Sequence, residues 1–381
     1  MKVLVVTNDF PPKVGGINYY VANLIRHFPP GEVTVFASDW PGAEVHDAEF
    51  PHPVVRWSSD SMYPTRRVVD RVEALVRQED ADILLFGAAS PLALMGRPIL
   101  RRTGIPWAAF MHGVEIWVAQ VPVTRGLLSL TGRKAALLMG VSQWQVELTR
   151  RAIGEGPRIE LVPPGIDAGR FHPAVSDEGV RDRHGLGDAP VICCVSRLTL
   201  RKGQDVLIRA LPRIAEEVPD VRFLVVGAGP DYERLRGLAR RKEVESRVVF
   251  AGEVSDQELP AYFRAGDVFA MPCRTRKLGL EAEAFGAVFL QASAVGRPCV
   301  AGDSGGAPEA VLDGETGLVV DGSDREAVAG AILSLLQDRE RAEKMGRAGA
   351  DMVRRELTWQ ALSSRLRGLL IDTLGSLRST A

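Results

Sequence analysis

The chain has 381 residues, of which 46% are hydrophobic and 25% charged, and its formal net charge is -1. That length predicts two domains, and the balance is that of a globular chain with a full core. A near-neutral charge provides no whole-molecule field for nucleic acid, and no run approaches the ~18 apolar residues of a membrane span.

Lys2–Thr7 reads as one short strand and not as a charged leader followed by a long apolar segment, so the expected location is the cytoplasm. The turn Asn8-Asp9-Phe10-Pro11-Pro12 follows. Gly15-Gly16 then opens the apolar-periodic stretch Ile17–Ile25. Glycines at a helix start let backbone N–H groups approach an anion, although a tight turn accounts for them equally. Val33–Ala37, Ile83–Phe86, Trp107–Phe110 and Leu137–Val141 predict buried strands. Arg66–Arg77, Pro91–Arg102 and Gln143–Ile153 predict helices between them. Strand–helix alternation implies a parallel sheet covered on both faces. Arg66 and Arg67 start one helix just after Tyr63-Pro64-Thr65, and such a cationic start suits an anionic head group as well as a solvated face. His112 stands at the carboxyl end of a strand, where ligands bind in open α/β sheets, although a histidine packed in a loop accounts for it equally.

The pattern breaks after Pro163-Pro164-Gly165. We expect a first domain over 1–170, a polar connection over 171–188 and a second domain over 189–358. The last helix, 359–381, is expected to return to the first domain. The second series begins with the strand Val191–Val195 and the helix Gly203–Glu216. Strands Phe223–Val226, Val248–Phe250, Val268–Met271, Cys299–Ala301 and Gly317–Val320 follow. Arg197 and Lys202 lie just past the first of these strands, where two cations suit a diphosphate, although charge alone favours a solvated basic loop. Glu283-Ala284-Phe285-Gly286-Ala287-Val288 precedes a helix containing Gln291. The backbone N–H groups of such a helix start suit phosphate oxygens and Glu283 suits sugar hydroxyls, while an ordinary acidic first turn is the alternative. The four cysteines, Cys193, Cys194, Cys273 and Cys299, have no metal-ligand spacing, and the six histidines are scattered. Buried reduced thiols are the expectation.

The order Gly15-Gly16, Met111-His112-Gly113, Arg197 with Lys202, then Glu283 to Gln291 resembles the retaining GT-B glycosyltransferases. Their large family includes sucrose synthases and bacterial mannosyltransferases. Further segments are similar to the actinobacterial GDP-mannose-dependent enzymes that mannosylate phosphatidylinositol mannosides. These are Thr7–Pro12, Phe86–Met95, Ser196–Asp205, Phe269–Arg276 and Ser304–Glu309. The resemblance implies a GT-B architecture, two doubly wound Rossmann-like α/β domains with a cleft between them. It also implies a nucleotide-sugar donor, a glycolipid or small-molecule acceptor, no metal and no other cofactor, and peripheral contact with the inner face of the plasma membrane. It assigns His112, Arg197, Lys202 and Glu283 to catalysis. The donor falls to Gly16, Arg197, Lys202, Gly252, Glu253, Phe285, Gly286, Ala287, Val288 and Gln291, with the loop around Gly252-Glu253-Val254 selecting the base. Gly15, Tyr63, Thr65, Arg66 and Arg67 fall to the acceptor.

Two positions depart from the family. Gln291 replaces a glutamate that binds the nucleotide ribose, and Val114 replaces a histidine of the mannosyltransferases. An amide offers one acceptor where a carboxylate accepts two charge-assisted bonds, a difference of about 1–2 kcal/mol. Gln291 thus keeps open another nucleotide-hexose, a soluble acceptor, or a homologue that binds donor without turnover. A dinucleotide-dependent oxidoreductase is disfavoured, because Gly227-Ala228-Gly229-Pro230 lacks the third glycine of that fingerprint.

Overall fold

The computed structural model describes residues 1–13, 15–112, 126, 129, 132–154, 156–177 and 179–380. The chain divides into two compact units, Met1–Gly165 with Trp359–Ala381, and Ile166–Thr358.

Unit 1 runs β1 Val3–Thr7, α1 Gly16–Arg26, β2 Val33–Ser38, α2 Ala43–Glu49, β3 Val54–Trp57, α3 Arg66–Glu79, β4 Ile83–Phe86, α4 Gly96–Thr103, β5 Trp107–Met111, β6 Leu137–Gly140, α5 Gln143–Ile153 and β7 Arg158–Leu161. Its seven strands form one parallel sheet in the order β3-β2-β1-β4-β5-β6-β7. The inner strands are wholly buried and mostly apolar, as a sheet covered on both faces requires. Phe36, Phe86, Trp107 and Met111 share one core with Val68, Val72 and Leu75 of α3. The edge strands β3 and β7 contain Arg56, Arg158 and Glu160 and are only partly covered, so neither shows an apolar run in the sequence. The stretch expected as a single helix from Pro91 instead makes a short 3-10 turn, Leu92–Met95, before α4.

Unit 2 runs α6 Val180–Arg183, β8 Val191–Val195, α7 Gln204–Glu217, β9 Arg222–Val226, α8 Tyr232–Arg241, β10 Val248–Gly252, α9 Leu259–Ala265, β11 Val268–Met271, α10 Ala287–Ala294, β12 Cys299–Gly302, α11 Ala307–Ala310, β13 Gly317–Val320, α12 Arg325–Gln337 and α13 Arg339–Glu356. Its six strands form a second parallel sheet in the order β10-β9-β8-β11-β12-β13. Phe263, Phe269 and Phe289 pack ring on ring at its centre. The expected connection, 171–188, belongs to this unit. The chain crosses at 165–166, and Arg181 anchors the stretch by donating to the Ala265 and Ala189 carbonyls and to Asp267.

The final helix, α14 Trp359–Thr380, belongs to unit 1. It packs on α1, and its Arg367 binds both oxygens of Glu32 at 2.6 and 2.7 Å. All four cysteines are buried free thiols. Among the described residues no helix is long and apolar enough to cross a membrane.

Candidate active site

The carboxyl end of the unit 2 sheet gathers the chemistry-bearing side chains. β8 ends at Val195, and Gln204 of α7 reaches back to the Ser196 hydroxyl at 2.8 Å and the Arg197 carbonyl at 3.3 Å. Between them a 3-10 turn, Leu200–Lys202, presents two adjacent cations. Lys202 Nζ lies 2.6 Å and Arg201 Nη1 2.7 Å from the same oxygen of Glu283, Oε2. Oε1 has no hydrogen-bond partner among the described residues. Glu283 is itself nearly buried, at 7% exposure. Burial would raise its pKa, but the charges of Lys202 and Arg201 outweigh it and hold the carboxyl below its ordinary value.

The backbone of Glu283 is fastened as firmly as its side chain. Its N–H donates to the Ser304 hydroxyl at 3.2 Å, and its carbonyl accepts from Gly306 N–H at 2.9 Å. Gly305 adopts φ +57 beside it, and a Cβ there would lie 2.2 Å from the Glu283 carbonyl oxygen. The loop after β12 therefore closes on Glu283 only because residue 305 is glycine.

Glu283 leads into α10 through Phe285, which is buried, and Gly286, which caps the helix in the left-handed region with φ +86. No side chain caps this end, so the N–H groups of Ala287 and Val288 are available to an anion. Gln291 lies farther along α10, partly buried, and its amide has no hydrogen-bond partner among the described residues. Arg197 is exposed and its guanidinium likewise has no partner among them. Gly252 closes β10 with φ +75, its carbonyl accepting from Gly227 N–H at 2.7 Å, and Glu253 beyond it is exposed.

Unit 1 has its own cluster at the carboxyl ends of its strands. His112 donates from Nε2 to the Gly87 carbonyl at 2.7 Å and meets the Tyr20 ring edge-on at 5.0 Å. Burial lowers its pKa to about 4, so the ring is neutral near pH 7 with Nδ1 as an acceptor. Gly15 caps α1 and Gly16 begins it, and nothing lies within 4 Å of where a Cβ on Gly16 would stand.

Asn8 organises the rest of this edge. Its amide donates to the Met62 carbonyl at 2.9 Å, and its carbonyl oxygen accepts from Met62 N–H at 2.6 Å and the Ser38 hydroxyl at 2.7 Å. This clamp brings the loop after β3 to the end of β1, and with it exposed Tyr63, Thr65, Arg66 and Arg67. Arg66 makes one loose contact with Asp70, 3.9 Å apart and solvated. Gly113 and Val114 lie outside the described residues.

By sequence, Arg197 and Lys202 are the expected diphosphate pair. The structure brings Lys202 together with Arg201 and Glu283, and the exposed Arg197 lies earlier in the same loop. No sequence signal assigns a role to Arg201, Ser304, Gln204 or Asn8. An Arg next to a Lys looks like a solvated doublet, and only the fold turns both onto one carboxylate.

Residues 14–170 match the model of Glycosyltransferase Family 4, and residues 177–352 that of Glycosyl transferases group 1. A GDP-mannose-dependent alpha-(1-6)-phosphatidylinositol monomannoside mannosyltransferase from Mycolicibacterium smegmatis is 44% identical over 377 residues, covering 97% of this chain and 98% of that protein. The chain belongs to the GT-B glycosyltransferases. The Mycobacterium tuberculosis protein of the same description is 41% identical to this glycosyltransferase, over 97% and 98% of the two chains. Solved structures share the fold at lower identity. HepE of Anabaena in complex with UDP and glucose superposes with a TM-score of 0.80 at 21% identity, covering 98% and 100% of the two chains. Sucrose-phosphate synthase from Thermosynechococcus elongatus gives 0.79 at 22%, covering 99% and 100%.

Proposed function

We propose that this glycosyltransferase moves mannose from GDP-mannose to a hydroxyl of a phosphatidylinositol mannoside, with retention and without a metal ion. Two observations support the reading. The relatives at 44% and 41% identity span nearly the whole chain and are described by that donor and acceptor class. Lys202, Arg201 and Glu283 form one close cluster at the carboxyl end of the second sheet, the position at which such sheets bind nucleotides.

In this mechanism the departing diphosphate gathers negative charge as the glycosidic bond breaks. Lys202, Arg197 and the uncapped start of α10 stabilise that charge. Glu283 Oε1 accepts hydrogen bonds from sugar hydroxyls, and Glu283 and His112 orient the ring. The acceptor oxygen attacks from the face that the phosphate leaves, and a phosphate oxygen takes its proton. No protein nucleophile is then needed. Gly252 and Glu253 sit at the nucleotide base, Phe285–Val288 at the phosphates and sugar, and Gln291 at the ribose. On the acceptor side, Gly15 and Gly16 leave room for the attacking hydroxyl. Tyr63, Thr65, Arg66 and Arg67 meet the anionic head group at the cytoplasmic membrane surface.

Incubation with a panel of nucleotide-sugars, followed by analysis of the lipid product, tests this reading. Mannosylated lipid formed from GDP-mannose in the presence of a chelator is expected. Transfer from a different nucleotide-hexose would reassign the donor. Donor binding with neither transfer nor hydrolysis would favour a binding-only homologue, the reading that Gln291 keeps in play.

A further inference from the structure

Arg274, three residues past β11, meets the turn that carries Lys202 at several points. Its backbone N–H donates to the Arg201 carbonyl at 2.9 Å. Its Nη2 reaches both oxygens of Asp205, at 2.9 and 3.0 Å. Just before it, the Pro272 carbonyl presses on Gly203, where a Cβ would lie 2.0 Å from that oxygen. One short segment therefore grips residues on both sides of Lys202. Arg201 is held before it, and Gly203 and Asp205 after it.

Asp205 sits in the first turn of α7 with 9% of its side chain exposed. Arg234 approaches it only to 3.8 Å and is itself engaged by both oxygens of Asp231, at 2.6 and 2.7 Å. Arg274 is thus the close partner of a nearly buried carboxylate. Such a pair is costly to desolvate and is repaid by geometry rather than by net stability. A lysine ammonium is a point charge on a four-carbon stem, and the backbone beneath it must be fixed if the charge is to stay in one place.

We propose that Arg274 is a positioning residue for donor binding. By clasping Asp205 and the Arg201 carbonyl, it sets the turn from which Lys202 meets the donor diphosphate. The inference rests on the reading of Lys202 as a diphosphate ligand. It assigns to Arg274 no contact with substrate.

The test measures GDP binding by titration calorimetry, donor KM and kcat, and ligand-free melting. The proteins are the parent, R274M, R274K, K202A and the double variant R274M/K202A. We expect R274M to weaken GDP binding about tenfold, the worth of one charge-assisted hydrogen bond, and to raise donor KM more than it lowers kcat. R274K should recover part of the loss. In the K202A background, R274M should change GDP affinity less than about twofold, because contacts that act through one group are not additive. D205N removes the same clasp from the other side and serves if R274M fails to fold. GDP binding by R274M or D205N within twofold of the parent overturns the inference. So does a loss that persists in full when Lys202 is absent. A parent that binds none of GDP, UDP or ADP overturns the donor reading itself, and the inference with it.

Discussion

Lys202 Nζ and Glu283 Oε2 lie 2.6 Å apart, with both side chains about nine-tenths covered. Lys202 comes from the loop after β8 and Glu283 from the approach to α10, 81 positions later. The pair is shielded from solvent, so its mutual attraction is far stronger than that of the solvated ion pairs elsewhere on the surface. Arg201 shares the same oxygen, which leaves the cluster with one carboxylate and two cations. That surplus positive charge suits an anionic ligand.

Removing either cation assigned to the donor should slow transfer. Lys202→Ala is expected to lower kcat/KM by about 10²–10³-fold, the scale of losing one donor to a developing oxyanion. Arg197→Ala should follow in the same direction. Steady-state rates for both variants that stay within about threefold of the parent would rule out their role as diphosphate ligands.

Restoring a carboxylate at residue 291 should strengthen nucleotide binding. The Gln291 amide has no partner among the described residues, and a glutamate there can accept from two ribose hydroxyls. Gln291→Glu is expected to gain about 1–2 kcal/mol, roughly a 5- to 30-fold fall in the Kd for GDP. Calorimetric titration at matched ionic strength reads this directly. An unchanged or weaker affinity would place the ribose away from this helix.

Stability should decline on acidification in two stages. His112 has a folded pKa of about 4 against an ordinary value of 6.5. The unfolded chain therefore takes up its proton first, so the contribution is complete above pH 6.5 and diminishes as pH falls towards 4. Glu283 is also held below its ordinary value of 4.5, so its contribution persists above that pH and disappears as pH drops through the lowered folded value. Melting midpoints measured from pH 7.5 to 3 should show a shallower upper stage in His112→Gln and a shallower lower stage in Glu283→Gln. Identical curves for parent and variants would contradict the assignment.

Gly203→Ala should be strongly destabilising. The residue has φ +82, and the added methyl would collide with the Pro272 carbonyl, which belongs to backbone and cannot swing aside. Strain and displacement together predict a loss of roughly 2–4 kcal/mol. Chemical denaturation measures it. Gly16→Ala is the control, because nothing lies within 4 Å of that position.

The thiols should resist modification. Burial pushes Cys194, Cys273 and Cys299 up to about 12 and raises Cys193 as well, so thiolate is scarce at neutral pH. Labelling with a disulfide reagent should proceed only as fast as the protein opens, and denaturant should release four reactive groups together.

The inner strands were legible because each is a short run of apolar residues bounded by turns, as Ile83–Phe86 and Val191–Val195 illustrate. Unlike β10 and β13 at the edges of the second sheet, the edge strands of the first were not. Arg56 in β3 and Arg158 and Glu160 in β7 break the run, since an edge needs cover on fewer sides. At the site, Lys202 and Glu283 were legible from their order along the chain. Arg201 was not, because no periodicity says that two neighbouring cations both turn onto one carboxylate. The Arg274–Asp205 clasp joins residues 69 positions apart that share no motif, and only the adjacency of β8 and β11 brings them together.

Because α14 follows unit 2 in the chain yet builds unit 1, the first sheet cannot complete its covering until the rest of the polypeptide has been synthesised. During translation, Tyr20 and Gly165 wait for Trp359, which packs against both, and Glu32 waits for Arg367. Unit 2, uninterrupted in sequence, is free to mature first on the ribosome. A fragment ending at residue 165 would expose the apolar seam of α1 and recruit aggregation partners or chaperones in place of its missing helix.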